Sequence, residues 1–164
     1  MASGIKLNLK GFEKMLEEIQ AAGGNVETAA EETLNECAKV VETELQSACN
    51  AAGVPSSVSN EIQVTKGKSG NRFFAKVGWK MGSYDPKNPS AGYKAVFMNY
   101  GTTRRQVKDT GEHATVGGNW KTLGTDRGAV TGTGFITKAK EASAPKVRKI
   151  QKQKLSEILK GLKG

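Results

Sequence analysis

The chain has 164 residues, of which 37% are hydrophobic and 25% charged, with a formal net charge of +9 at pH 7. That length suits one domain with one core, and that balance excludes a disordered or fibrous chain. The opening MASGIKLNLK has no apolar stretch of signal-peptide length, and no run approaches the roughly 20 apolar residues of a membrane span, so a cytosolic origin is expected.

Ile5, Leu7 and Leu9 alternate with polar residues, the period of a short half-buried strand. The period then changes. Phe12, Met15, Leu16 and Ile19 fall at i, i+3, i+4 and i+7, with Glu13, Lys14, Glu17 and Glu18 on the wet side and Gly23 and Gly24 as the stop. Asn25 offers an N-cap to a second helix, whose positive end is matched by Glu27, Glu31 and Glu32. Val26, Ala30, Leu34, Cys37, Val41, Leu45, Ala48 and Ala52 recur at steps of three and four with no interior Gly or Pro. This predicts a helix of about 40 Å, ended by Gly53 and Pro55. Cys37 and Cys49 share that stripe roughly 18 Å apart, far beyond disulfide reach, and are expected as reduced core residues. With no CxxC spacing and His113 as the only histidine, neither a metal site nor a cofactor is expected.

The middle reads as sheet. EIQVTK (61–66) alternates, GKSGN (67–71) is turn chemistry, and RFFAKVGWK (72–80) places Phe73, Ala75, Val77 and Trp79 on one face. After a loop with two prolines, Tyr93, Ala95, Val96, Phe97 and Tyr100 form a third apolar segment that fits a strand or a short helical turn. Residues 101–134 hold eight of the chain's 20 glycines, with Trp120 and Leu123 as the large apolar residues, and read as a long loop, flexible or ordered on assembly. Phe135, Ile136 and Ala139 restart an apolar pattern that breaks at Pro145. Val147, Ile150, Leu155, Ile158, Leu159 and Leu162 then predict a closing amphipathic helix with Ser143 as its cap. The expected architecture is one α+β domain over 1–164, with an antiparallel sheet of about four strands packed against a long N-terminal helix and a C-terminal helix.

Charge is unevenly spread. Residues 1–53 carry a net of −5, and residues 138–164 a net of +7. The basic face of the last helix, Lys146, Arg148, Lys149, Lys152 and Lys154, is a candidate for contact with a polyanion or an acidic neighbouring subunit. Solvated faces that keep the chain soluble are the plainer reading.

The opening IKLNLKGFEKMLEEI, the long helix, the hairpin, the aromatic segment closing on Tyr100, Gly101 and Thr102, and the terminal GFITKAKEASAPKVRKIQKQKLSEIL together resemble a known family. It is that of the small tail-completion or head-tail joining proteins of long-tailed double-stranded DNA phages. FMNYGTTRR is the most specific piece, similar to that family's apolar, aromatic, Gly-Thr turn. The chain departs from the pattern in the glycine-rich excursion after that turn and in having Gly134 before Phe135 where a proline is usual. The resemblance implies a non-enzymatic virion component, a homo-oligomeric ring of about six copies at the neck or the head-proximal end of the tail, assembled in the host cytoplasm. The head connector or stopper protein and the tail tube protein would be its partners, with non-specific contact to DNA in the channel and none to a membrane. The interface residues it implies are Tyr100, Gly101, Thr102, Arg104, Arg105, Trp120 and Phe135.

No catalytic constellation is expected. A nucleophile would have to come from Cys37 or Cys49 with His113, and the acids Glu61, Asp85, Asp109, Glu112 and Asp126 show no recognised metal spacing. GTG at 132–134 is too short for a phosphate loop. The rival reading is a small basic nucleic-acid-binding module that contacts phosphates without sequence specificity.

Overall fold

The computed structural model describes residues 3–70, 72–82, 84–85, 87–102, 113–116, 119–122 and 129–164. Three strands form the main sheet: β1 (Gly4–Asn8), β2 (Gln63–Ser69) and β3 (Arg72–Gly78), antiparallel throughout and ordered β1-β3-β2. The register sets Ile5 opposite Val77 and Leu7 opposite Ala75, and Val64 also faces Val77. Because strand side chains alternate, this register gathers the apolar residues on one face, where α2 (Val26–Ala51) packs. Trp79 follows β3 into the core and donates its indole N–H to the Val58 carbonyl at 2.7 Å, in the short helix α3 (Ser56–Ser59).

Helix α1 (Glu13–Ala21) and α2 fall where the periodicity puts them. Asn25 caps α2 as expected, its side chain accepting the Thr28 N–H at 3.1 Å. At the other end Gly53 takes φ +67, the Gly53 N–H reaches the Asn50 carbonyl, and the Val54 N–H reaches that of Cys49. This Schellman closure needs the left-handed residue that glycine supplies, and it turns Val54 into the core. The long helix α5 (Phe135–Lys163) packs along α2. Val41, Leu45, Cys37, Trp79 and Phe135 are fully buried in the main cluster, while Ile19, Ala29 and Leu155 join α1, α2 and α5 in a second one. Burying a residue such as Leu45 contributes about 1.5–3 kcal/mol.

Three expectations are corrected. The sheet has three strands rather than about four, because the third apolar segment is helix α4 (Ala91–Tyr100). Tyr93, Val96, Phe97 and Tyr100 fall at i, i+3, i+4 and i+7, so helical spacing prevails over the β-branched and aromatic content. The closing helix begins at Phe135, and Ser143 is a buried interior residue whose hydroxyl donates to the Lys140 carbonyl at 3.2 Å. Pro145 lies on the exposed side of that helix, so the buried series Ala139, Ser143, Val147, Gln151 runs past it unbroken. Residues 101–134 are also not wholly irregular. They contain the two-residue strands β4 (Gly101–Thr102) and β7 (Val130–Thr131), which pair with each other, and the hairpin of β5 (His113–Val116) with β6 (Asn119–Thr122).

Candidate assembly surface

The corner after α4 is built from backbone contacts that leave little room for any other residue. Gly101 takes φ +76, and a Cβ there would fall on the Val130 carbonyl oxygen and the Gly132 amide. Both demands select glycine. Thr102 Oγ1 accepts the Val130 N–H at 3.2 Å, adding a side-chain bond to the β4-β7 ladder. Four bonds then fasten the returning chain to the end of α4. The Met98 carbonyl accepts the Thr133 N–H and hydroxyl, each at 3.0 Å, the Asn99 carbonyl accepts the Gly134 N–H at 3.0 Å, and Asn99 Oδ1 accepts the Ile136 N–H at 2.8 Å.

Asn99 is the residue that sequence reading missed. It is 3% exposed, and it supplies the first turn of α5 with the cap that Gly134, having no side chain, cannot give. The available signal was a polar residue within the buried series Ala95, Val96, Asn99 of α4. GTG at 132–134, which carried no phosphate-loop reading, is the return leg of this clamp.

An aromatic group lies along α4. Tyr84 stands edge-on to Tyr93 at 5.0 Å between ring centroids and to Phe97 at 6.5 Å. Tyr100 is 48% exposed and Val130 57% exposed at the corner, and Met81 and Tyr84 are open near the first turn of α4, so both ends of this helix show large side chains to solvent. Of the other expected interface residues, Phe135 is 1% exposed and packs edge-on against Trp79 at 5.9 Å. It is a core residue in this chain. Trp120 lies in β6 opposite Thr115, and Arg104 and Arg105 lie outside the described residues, as do the acids Asp109, Glu112 and Asp126.

The basic face of α5 divides in two. Lys146 pairs with Glu44 and Lys154 with Glu36 at 3.2 Å, both on α2, and Lys163 reaches Glu18 of α1 at 3.5 Å. The hydrogen bond to Glu36, with that carboxylate's charge, holds the Lys154 ammonium above its ordinary pKa. The acidic start and the basic end of the chain therefore meet within one molecule. Arg148, Lys149 and Lys152 remain exposed, with no ion pair among the described residues.

Both thiols are free and buried, and burial pushes Cys37 and Cys49 up to about 11. A thiol of that kind holds its proton at neutral pH and is a poor nucleophile. Among the described residues no group of His, Cys, Asp and Glu could hold a metal ion, and no helix is long and apolar enough to cross a membrane. Comparison with protein-family models, with characterised proteins and with solved structures finds no match for this chain.

Proposed function

We propose that the chain is a structural virion protein of a tailed phage or a prophage-derived tail particle. In this reading it forms a ring at the neck or head-proximal end of the tail, completes the tail and joins it to the head, with no enzymatic step. The observation that carries the reading is the clamp behind Tyr100. A long excursion leaves and re-enters the fold at one braced point, next to Tyr100 and Val130, which are open to solvent, and Met81 and Tyr84 are open near the first turn of α4. Exposed apolar groups around a rigid corner suit a permanent protein contact better than a solvated surface. The resemblance of FMNYGTTRR and of the order of elements supplies the identity of that contact, a neighbouring copy in a ring and then the head connector and tail tube proteins.

The test is negative-stain electron microscopy of lysates from a phage carrying an early stop codon in this reading frame. Filled heads beside separate tails of normal length are expected. Over-long tails would move the role to tail-length termination, and intact virions with normal tails would overturn the virion reading.

A further inference from the structure

Two grooves meet along the free edge of β1. One, of about 600 Å³, runs between β1 and α5 and has Lys6, Lys10, Lys140 and Arg148 on its walls. The other, of about 460 Å³, crosses the end of the sheet and adds Arg72. They share Lys6, Asn8, Lys10 and Glu13, so the two are continuous. Glu13 is the one carboxylate on either wall among the described residues, and its Oε2 already accepts the Gly11 N–H at 2.8 Å.

The open face of the sheet extends this surface, because Lys76 stands directly opposite Lys6 in the ladder. Like charges facing each other across strands are destabilising, and here no carboxylate among the described residues compensates them. Four lysines elsewhere, Lys68, Lys146, Lys154 and Lys163, each meet a glutamate. The edge also offers backbone donors. Ser3 turns its carbonyl toward β3 to accept the Trp79 N–H, whereas the Asn8 carbonyl turns outward to Gln151. By the alternation of an antiparallel ladder, the Lys6 N–H points outward into the groove.

We propose that this joined surface holds the phosphate backbone of double-stranded DNA without sequence specificity. Five cations spread over the two grooves, with half-buried Lys76 behind them donating to Ser3 Oγ at 3.0 Å, suit a broad polyanion with closely spaced charges. A duplex fits better than a single strand, because Lys6 Nζ sits 4.5 Å above the Phe74 ring and covers the face on which a base would stack. The contact is to backbone and not to base edges. This inference stands apart from the ring reading, since a ring that binds no DNA and a DNA binder that forms no ring are separate outcomes.

The experiment is fluorescence anisotropy of the full chain with a labelled duplex of about 30 base pairs, titrated between about 50 and 200 mM salt. Lys6→Gln/Arg148→Gln is expected to weaken binding at the lower salt and to reduce the slope of log affinity against log salt by about 2. Lys68→Gln/Lys163→Gln removes the same charge from paired lysines and is expected to leave the slope unchanged. The single variants Lys6→Gln and Arg148→Gln, each lowering the slope by about 1, keep the test intact if a double variant folds poorly. No affinity of the unaltered chain for the duplex, or equal losses in the two double variants, would overturn the proposal. So would displacement by polyglutamate as readily as by unlabelled duplex, which would make the surface a dock for an acidic polypeptide.

Discussion

Asn99 carries more of the corner than any other side chain. Its Oδ1 meets a buried N–H at the start of α5, and its own carbonyl takes the Gly134 N–H. Replacing it by alanine leaves the Ile136 N–H without that acceptor, away from water. Asn99→Ala is therefore expected to cost about 1–3 kcal/mol of stability, read from the shift of the urea unfolding midpoint at constant slope. This role was not legible in the sequence, because a cap contributed from 37 positions away leaves no local pattern. Asn25 shows the contrast: it caps the helix that it directly precedes, and its role could be read from its neighbours alone. Phe135 illustrates the opposite difficulty. An aromatic next to a glycine-rich stretch has the same letters whether it faces a partner or the core, and only the Trp79 ring beside it decides the matter.

Among the elements, those with long regular stripes were legible and the short ones were not. Helix α2 and the β2-β3 hairpin repeat their period often enough to exclude alternatives, whereas Tyr93–Tyr100 is two turns long and admits either period until its neighbours are placed. The β5-β6 hairpin carried a signal that the glycine count obscured. HATV and NWKT flank the pair Gly117 and Gly118, and a two-residue glycine connection between alternating segments is a hairpin pattern. Helix α5 shows tertiary contacts prevailing over local preference. Pro145 has no N–H to give to the preceding turn, yet α5 continues for 18 residues beyond it because its buried face is held against α2. The energy lost at that point should be recoverable. Pro145→Ala restores a helical donor on the exposed side and is expected to raise stability by about 1–3 kcal/mol, seen as a higher thermal midpoint.

For the whole molecule, the charge asymmetry was visible in the sequence but its direction was not. Part of the basic end neutralises the acidic start through exposed ion pairs, each worth at most about 1 kcal/mol, so apolar burial along the α2-α5 seam holds the two together. Of the cations outside those pairs, Lys6, Lys10, Arg72, Lys140 and Arg148 gather at the edge of β1 and beside it. Size and charge could not disclose that partition, which depends on which helix lies against which. The clamp also bears on how this protein can change over time. Thr102 and Val130 are already partners in an antiparallel pair, which is the spacing a two-residue turn would bridge. A chain in which an Asn-Gly turn replaces residues 103–129 should fold with α4 and α5 in place, and shortening the closed loop should add up to about 2 kcal/mol, measurable by chemical denaturation. The excursion is then an interchangeable cassette: lineages could exchange or lengthen it to meet new partners while the scaffold beneath it keeps its sequence constraints.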